Sequence, residues 1–389
     1  MSHELFISVL FPCRNEEGTI GACVREARKI LKKFSQPTEV VVVDNGSTDQ
    51  SALQARKAGA RVVRCPIPGY GAALDCGLEA ARGRYVLMLD ADGSYDPASL
   101  PSFLSCLQMG CDLVVGNRFQ GRIEEGAMPW KNRYLGNPIL SFLGRVMTGV
   151  KIGDFHCGIR AFRRDVIRRL GLQSLGMEYA SEMIVRAGLA GLRMGEVPVA
   201  LRRDGRGRPS HLRPWRDGWR HLRFLLLFSP RWLFVIPGFL MILLGMVFGA
   251  CCWAATGEDR QLETFFLFCL CASVGYQFFL FGLLIRIFGL ESGLLPLPAG
   301  YRKIFHFLNL ELGLGAGFLT AACGLALLGF GSFAEKSLAM KPHLLAMLGG
   351  LFLLLGVQTV LASFLFSFFG LSLKQKNLRT GGLVRSLRG

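Results

Sequence analysis

The chain has 389 residues, of which 51% are hydrophobic, and a formal net charge of +17 at pH 7. Residues 1–230 carry most of the charge, whereas residues 232–371 are nearly free of it and are read as membrane-embedded. Many of the arginines lie just before the first long apolar run and in the C-terminal tail, where anionic lipid headgroups would be met. This distribution argues against a nucleic-acid-binding protein.

The 12 cysteines are scattered along the chain, and no two of them form a C-x-x-C pair. This pattern does not support a zinc site, and it favours a reducing cytosol over a disulfide framework. The N-terminus lacks the charged-then-apolar pattern of a signal peptide, so we expect the first domain to stay in the cytoplasm.

Short apolar strands and helices alternate through residues 1–201, which we predict to be one domain. Strands are predicted at 5–11, 39–43, 61–65, 85–89, 112–115 and 196–201. Helices are predicted at about 18–33, 48–59, 72–81 and 97–108. This alternation indicates an α/β fold with a doubly wound, mostly parallel sheet.

Asp90 and Asp92 directly follow the apolar strand that ends at Leu89. On an extended chain, side chains at i and i+2 point to the same side, so the two carboxylates can reach one ligand. Oxygen ligands at the carboxyl end of a buried strand suit Mg²⁺ or Mn²⁺ carrying a diphosphate. The alternative is that one aspartate only caps the next helix, but Asp96 before Pro97 is the better cap.

Two other strand-end loops offer groups to a nucleotide. Asp44 ends the second strand, where its carboxylate can accept hydrogen bonds from a base or ribose, and Asn15 and Glu16 can close the same pocket. Gly69 and Gly71 precede a helix, so their backbone N–H groups are candidates for binding phosphate. Short glycine loops are commonly only turns, and that alternative stays open.

Further along the chain, Arg118 is either a phosphate contact or a surface arginine. Residues 120–132 are predicted to form a mobile loop over the site. The apolar stripe of Phe142, Leu143, Val146 and Met147 is predicted to face the core.

The succession FPCRNEE, VVVVDNGSTD, PGYGAAL, LMLDADGSYDP, VVGNRF and GDFHCGIRAFRRD resembles the family 2 glycosyltransferases of GT-A fold. It is most similar to their polyprenyl-phosphate (dolichol-phosphate) glucosyl- and mannosyltransferase branch. The resemblance covers residues 5–212 and implies that Asp90 and Asp92 bind the diphosphate through a divalent metal. It also implies that the nucleotide base is held by Pro12, Asn15, Glu16 and Asp44.

The same resemblance implies roles for residues after the D-x-D motif (Asp90-Ala91-Asp92). Some family members have a Gln that helps at the metal where this chain has Ser94, so the resemblance leaves a third protein ligand open. Asp154 is expected near the donor sugar and the acceptor phosphate, as a positioning group or a general base. Basic residues of the segment after the last strand are expected close to the phosphates, here Arg202, Arg203 and Arg206.

Two more residues are assigned to the acceptor side. Arg133, with Arg118, would help to bring the two anionic substrates together. Glu182 shares a helix face with Glu178, and it either lines the acceptor site or belongs to a solvated or locally hydrogen-bonded face.

Residues 202–231 combine nine arginines with Trp215 and Trp219, as an interfacial helix does. Four apolar runs follow at about 232–255, 263–287, 308–331 and 343–370, and a basic tail spans 372–389. The distribution of Lys and Arg predicts a multi-pass protein of the inner or plasma membrane whose catalytic domain and C-terminus are cytoplasmic.

The expected function is inverting, metal-dependent transfer of a hexose from a nucleotide sugar of the UDP-glucose or GDP-mannose type. The acceptor would be a membrane polyprenyl phosphate, dolichyl or undecaprenyl. One alternative is a processive polysaccharide synthase, but Arg231-Trp232 lacks the preceding Gln of that class's Gln-x-x-Arg-Trp motif. The other is a non-catalytic membrane protein that binds a nucleotide sugar or carries lipid, although the spans contain few ionisable residues. A homo-oligomer is left open.

Overall fold

The computed structural model describes residues 6–206, 214–254, 257–292, 310–333 and 342–386. It divides into two compact units, Met1–Leu227 and Phe228–Gly389, and each is described by itself.

A seven-stranded sheet forms the centre of the first unit. Its strands are β1 (Ile7–Cys13), β2 (Thr38–Asp44), β3 (Arg61–Arg64), β4 (Tyr85–Met88), β5 (Leu113–Asn117), β6 (Arg160–Arg163) and β7 (Met194–Pro198). The strand order is β3-β2-β1-β4-β6-β5-β7. All neighbouring strands are parallel except that β6 runs antiparallel to both β4 and β5. The predicted α/β class with a mostly parallel sheet is therefore confirmed.

The strand β6 was not predicted. Its sequence, Arg-Ala-Phe-Arg, has only two apolar residues between two arginines, which is no strand signal in isolation. Its position between β4 and β5 satisfies its backbone hydrogen bonds on both sides and brings residues 153–159 next to the end of β4.

Eight helices accompany the sheet in the described part of this unit. They are α1 (Ile20–Leu31), α2 (Ser51–Lys57), α3 (Tyr70–Ala80), α4 (Leu100–Gln108), α5 (Asn137–Thr148), α6 (Arg164–Leu170), α7 (Tyr179–Leu189) and α8 (Pro214–Leu227). Helix α1 shows why they form: Ile20, Val24, Ala27 and Leu31 recur at helical spacing and are all buried. The central strands they cover have apolar cores, as Val40–Val43 of β2 illustrates, with each residue at most 4% exposed.

Of two local predictions, a helix cap and a buried apolar stripe, the structure confirms only the first. Asp96 caps a 3₁₀ turn, Pro97–Ser99, by accepting a hydrogen bond from the Ala98 N–H at 2.8 Å, so the predicted cap is confirmed. The prediction that the stripe on α5 faces the core is wrong, because Phe142 is 55% exposed and Val146 is 41% exposed. Periodicity shows that one helix face is apolar but does not show what covers it.

One disulfide, Cys65–Cys76, links the residue after β3 to α3, with the Cα atoms 6.0 Å apart. The cysteine pattern did not predict it, because the spacing of 11 residues is no motif and the pair meets only through the β3–α3 turn. The remaining ten cysteines are not in disulfides.

Helix α8 lies in the segment predicted to be an interfacial helix. Its buried residues include Asp217, His221 and Leu225, while Trp219 is 58% exposed. The predicted segment 202–231 thus contains a helix with one face packed in the first unit. Its residues 207–213 lie outside the described residues.

The second unit contains four long apolar helices. They are α9 (Ile236–Ala254), preceded by a π-helical turn, Arg231–Val235, α10 (Glu258–Glu291), α11 (Leu310–Phe333) and α12 (Pro342–Ser386). The stretches long and apolar enough to cross a bilayer are Arg231–Cys252, Glu258–Glu291, Leu310–Phe330 and Pro342–Phe369. Parts of the predicted spans, at 255 and 308–309, and the last tail residues, 387–389, lie outside the described residues.

Small residues allow α11 and α12 to pack closely. A Cβ on Gly324 would lie 2.5 Å from the Leu353 backbone nitrogen, and one on Gly356 would lie 2.5 Å from that of Ala321. In a membrane, where apolar burial does not drive association between helices, such backbone contact is a main source of packing energy. One polar link joins α10 to α12: the hydroxyls of Tyr276 and Thr359 are 2.6 Å apart.

Candidate active site

The D-x-D aspartates follow β4 at the edge of the sheet where β1 and β2 also end. Asp90 Oδ1 accepts a hydrogen bond from the Tyr70 hydroxyl at 2.9 Å. Asp92 Oδ1 accepts from the Ser94 N–H at 2.9 Å and from the Ser94 hydroxyl at 2.6 Å. Ser94, the residue that stands where some family members have Gln, therefore orients Asp92.

The donor set fits a divalent cation. Burial, followed by the nearby charge of Asp92, raises the pKa of Asp90 to about 6. Both groups are hard oxygen donors, as Mg²⁺ and Mn²⁺ prefer. Among the described residues, no group of three or more His, Cys, Asp or Glu side chains is arranged to hold a metal.

Gly158, just before β6, brings the backbone against Asp90. A Cβ at this position would lie 2.2 Å from Asp90 Oδ2, so no larger residue fits. The Gly158 N–H donates to the Tyr95 hydroxyl at 3.0 Å, which ties this turn to the loop that follows the D-x-D motif. The sequence signal for this role was the glycine in CGIR, but the missed strand β6 concealed it.

Arg206 lies directly on the D-x-D motif, as its predicted catalytic role requires. Its Nη2 is 2.9 Å from Asp92 Oδ2 and its Nη1 is 3.1 Å from Glu16 Oε1. Asp204 completes the cluster, with Oδ2 2.6 Å from Arg206 Nη2. One guanidinium is thus shared by three carboxylates.

The other two predicted arginines of this segment point elsewhere. Arg202 pairs with Asp96, and its Nη1 is 3.8 Å from Glu26 Oε2. Arg203 contacts the loop before α5, because its N–H donates to Glu124 Oε2 at 3.2 Å. Neither contacts Asp90 or Asp92, so their assignment to catalysis and to the acceptor phosphate stays a prediction.

Arg118 and Asp154 form a buried bidentate pair. Arg118 Nε is 2.7 Å from Asp154 Oδ2, and Nη2 is 2.8 Å from Oδ1. Asp154 also accepts from the Arg118 N–H at 3.2 Å. The structure therefore brings together two residues that the sequence assigned to the site separately, and both carboxylate oxygens of Asp154 are engaged by the guanidinium.

Glu196 of β7 holds this pair in place and was missed from the sequence. Its Oε1 accepts from Asn117 Nδ2 at 3.0 Å, from the Gly153 N–H at 2.8 Å and from the Asp154 N–H at 3.2 Å. An acidic residue inside an otherwise apolar strand was the available signal. Its partners lie 42 to 79 residues away in the chain, so no local pattern reveals them.

The loops after β1 and β2 are bound to each other. Asn15 is the one non-glycine residue with positive φ (57°) in the described part of the chain. Its N–H donates to Ser47 Oγ at 3.0 Å, and its Oδ1 accepts from the Thr48 N–H at 2.7 Å. The Glu16 N–H donates to Ser51 Oγ at 2.6 Å. The predicted nucleotide residues Asn15 and Glu16 thus also carry the contacts that shape the pocket.

Asp44 and Pro12 complete this side. The Asp44 carboxylate is buried, with Oδ1 accepting from the Ser47 N–H at 3.0 Å. Pro12 lies in β1 opposite Val43 of β2. The two strands end together, with Cys13 opposite Asp44, so the structure gathers Pro12, Asn15, Glu16 and Asp44 at one edge.

The amides of Gly69 and Gly71, which were predicted to bind phosphate, both donate to groups of the protein. The Gly69 N–H donates to Asn45 Oδ1 at 2.8 Å, and the Gly71 N–H donates to the Leu175 carbonyl at 3.0 Å. A Cβ on Gly69 would lie 2.2 Å from that carbonyl oxygen, so the glycine serves close backbone packing. The residue between them, Tyr70, is the one that reaches Asp90.

Glu182 and Arg133 were predicted for the acceptor side. Their contacts are with residues other than Asp90 and Asp92. Glu182 is 1% exposed, and its Oε1 is 2.9 Å from Arg186 Nε. Its carboxylate also accepts from the Ser174 N–H at 2.7 Å, which secures the loop behind Gly71. Arg133 lies over the Tyr134 ring, 5.4 Å from its centroid. Their roles toward the acceptor stay predictions.

Two family models match the chain. Residues 8–171 match glycosyl transferase family 2, and residues 283–370 match the glycosyltransferase family 2 C-terminal transmembrane region. The match to the second, together with the four apolar helices, identifies a membrane protein.

Two proteins of similar sequence and one solved structure also resemble the chain. The low-salt glycan biosynthesis hexosyltransferase Agl6 of Haloferax volcanii is 33% identical over 374 residues, 94% of this chain and 89% of the relative. The dolichyl-phosphate hexose transferase of the same organism is 32% identical, over 54% of this chain and 89% of its own length. A mycobacterial protein of known crystal structure is 27% identical, with a TM-score of 0.48 over 58% of this chain and 75% of its own.

The identity and coverage of the first relative extend across both units. The chain therefore belongs to the family 2 glycosyltransferases.

Proposed function

We propose that this glycosyltransferase moves one hexose from a nucleotide sugar to a membrane polyprenyl phosphate on the cytoplasmic face, with inversion and with Mg²⁺ or Mn²⁺. The observation that carries the proposal is the pair of a half-buried Asp90 and a buried Asp92 at the carboxyl end of β4, with the pKa of Asp90 raised to about 6. Such a pair is suited to a divalent cation and its diphosphate.

A bound divalent cation would offset the charge that develops on the departing nucleoside diphosphate. Asp90 and Asp92 would hold it, oriented by Tyr70 and Ser94 respectively. The first two loops, through Asn15, Glu16 and Asp44, would hold the nucleoside.

The reaction needs no strong general base in this protein. The second pKa of a phosphate monoester is about 6, so the attacking oxygen is already largely ionised at pH 7. That oxygen forms the new bond to the anomeric carbon while the bond to the diphosphate breaks, and the electron pair leaves with the nucleoside diphosphate. One in-line displacement of this kind inverts the anomeric centre.

Asp154 fits a positioning role better than that of a base. Its two oxygens are occupied by the Arg118 guanidinium at 2.7 and 2.8 Å. Asp154 would therefore hold Arg118, and the arginine would present positive charge to one of the two anionic substrates.

The lipid acceptor is supported by the membrane region and by a relative. The dolichyl-phosphate hexose transferase matches 54% of this chain. A lipid-linked acceptor explains why a transferase domain is joined to four apolar helices. Apart from Arg202, Arg203 and Arg206, the arginines of 202–231 would then contact anionic lipid headgroups on the same side as the transferase domain.

The test is to incubate membranes containing the protein with each radiolabelled nucleotide sugar and polyprenyl phosphate, with and without EDTA. We expect a chloroform-soluble product carrying a single hexose, formed only when divalent cation is present. The Asp165→Asn variant is a matched control, because Asp165 is 50% exposed at its side chain and pairs only loosely with Arg169, at 3.6 Å.

Full transfer in EDTA would contradict the metal dependence. A water-soluble polymer in place of the single-hexose lipid would favour the processive synthase. No incorporation from any nucleotide sugar, with the protein folded, would favour the non-catalytic alternative.

A further inference from the structure

Both carboxylate oxygens of Asp92 are engaged by the protein itself. Ser94 donates twice to Oδ1, at 2.9 and 2.6 Å. Arg206 donates to Oδ2 at 2.9 Å. A cation that binds Asp92 through Oδ2 must therefore compete with the guanidinium of Arg206.

The surrounding charge still favours a second cation. Arg206 faces Glu16, Asp92 and Asp204, and Asp90 lies beside them. A divalent cation at Asp92 would be attracted by the same carboxylates that hold Arg206. The side chain of Arg206 is only 13% exposed, so water screens these interactions weakly.

Arg206 ends a segment, residues 201–206, that we call the strap. The strap runs along the loop of the D-x-D motif: the Gly205 N–H donates to the Asp92 carbonyl at 3.0 Å, and the Arg202 N–H donates to the Ser94 carbonyl at 2.9 Å. Its Leu201 N–H donates to the Arg122 carbonyl at 2.8 Å. The strap therefore connects the metal-binding loop to the loop at 120–127.

We propose that Arg206 is a built-in competitor of the divalent metal for Asp92, so that metal binding releases the end of the strap from the loop of the D-x-D motif. This rests on the metal-dependent function proposed above. The released guanidinium stays within the same anionic pocket, held by Glu16 and Asp204, and is positioned to meet the diphosphate that arrives with the metal.

Coupling follows from the shared contacts. The strap joins the loops at 92–96 and 120–127. A displacement of Arg206 would therefore alter the contacts of both loops. Thermodynamic linkage requires this competition to be reciprocal. The contact of Arg206 with Asp92 weakens metal binding, and metal binding weakens the contact of Arg206 with Asp92.

The test measures Mn²⁺ affinity of the purified full-length protein in detergent, from the electron paramagnetic resonance signal of unbound Mn²⁺. The variants are Arg206→Ala and Arg206→Gln, the second keeping most of the side-chain volume. Loss of a charge-assisted competitor should tighten Mn²⁺ binding about tenfold. Arg203→Ala is the matched control, because it removes the same charge from the same strap without touching Asp92.

Hydrogen exchange gives a second readout on the wild type. Addition of Mn²⁺ alone should speed exchange of the Gly205 amide, and Arg206→Ala should show fast exchange with or without Mn²⁺. Melting temperatures within a few degrees of wild type would establish that the variants fold.

The outcomes distinguish failure of the proposed competition from failure of the proposed metal-dependent function. Mn²⁺ binding that is lost in Asp92→Asn but equal in wild type, Arg206→Ala and Arg206→Gln overturns the competition and leaves the metal-dependent function standing. Weaker binding in both Arg206 variants also overturns it. Absence of Mn²⁺ binding by every form overturns both proposals.

Discussion

The two halves of the sheet hold their site residues by different means. In the first half, β1 to β4, neighbouring loops bind each other directly. For example, the Thr48 N–H, after β2, donates a hydrogen bond to Asn15 Oδ1, after β1. In the second half, β5 to β7, the pair of Arg118 and Asp154 depends on Glu196, which arrives from a strand about 40 to 80 residues later in the chain.

The difference teaches where sequence patterns are informative. The first half repeats a strand followed by a helix, so each strand end places its loop at the same edge. The second half interrupts that rule with the antiparallel β6, and its site residues owe their positions to contacts between distant segments. The following predictions test this contrast.

The largest effect is expected for Asp92→Asn in the first half. Loss of the charge should weaken metal and diphosphate binding and reduce hexose transfer by about 10³-fold or more. Transfer to polyprenyl phosphate in membranes measures it, with Asp165→Asn as the control. Retention of more than a tenth of wild-type activity would contradict the assignment of Asp92.

Gly158→Ala probes the point where the second half touches the first. The added Cβ would overlap Asp90 Oδ2, at 2.2 Å, so Asp90 or the turn must shift. Misplacement on this scale should reduce transfer roughly 100-fold. The control is Gly218→Ala in α8, where a Cβ meets nothing within 4 Å. Equal activity of the two variants would show that the close approach at Gly158 is unimportant.

Glu196→Ala tests the second half alone. Three N–H donors, from Asn117, Gly153 and Asp154, would lose their acceptor, which should reduce the free energy of unfolding by about 2 kcal/mol. Denaturant unfolding of the purified protein measures it. Glu79→Ala, which breaks only the exposed pair with Arg168, should change it by less than about 0.5 kcal/mol. A loss as small for Glu196 would contradict its role.

The last prediction, whose effect is absent at neutral pH, concerns pH and the packing of α8. His221 lies against His156, with ring centroids 4.5 Å apart, and its Nδ1 is 2.8 Å from the Ser181 hydroxyl. Burial lowers the pKa of His221 to about 4, although Asp217 raises it, and burial with His221 and Arg118 nearby lowers the pKa of His156. Both imidazoles are therefore neutral in the folded protein at neutral pH.

The sign of the pH effect follows. Below its ordinary pKa of about 6.5, a histidine takes up a proton in the unfolded chain but not in the fold. Stability is therefore complete above that pH and is lost as pH falls toward 4, by about 2 kcal/mol between pH 7 and 5 for His221. His221→Gln should lose this slope, as followed by denaturant unfolding at each pH. An unchanged slope would contradict the buried neutral state of His221.

Much of the fold and part of the site could be predicted from the sequence. The strands β1, β2, β3, β4 and β5 were predicted because each is a short apolar run between helix signals. Asp90 and Asp92 were predicted as a pair because two carboxylates at i and i+2 after such a run point to the same side. Tyr70, Gly158 and Glu196 were missed, since each acts through a partner that lies far from it in the chain. The sequence could not separate two roles of Gly69 and Gly71, because a glycine that packs against backbone resembles one that binds phosphate.

The sequence by itself determined the division into a charged α/β domain and an apolar helical region, because hydropathy and strand–helix alternation are local properties of the chain. It also determined the chemistry of the carboxylate pair after β4. Only the tertiary structure decided which cation that pair already contacts: Arg206 lies 114 residues beyond Asp92 and reaches it through the strap. Such contacts depend on how β6 and β7 enter the sheet, and no local pattern specifies that.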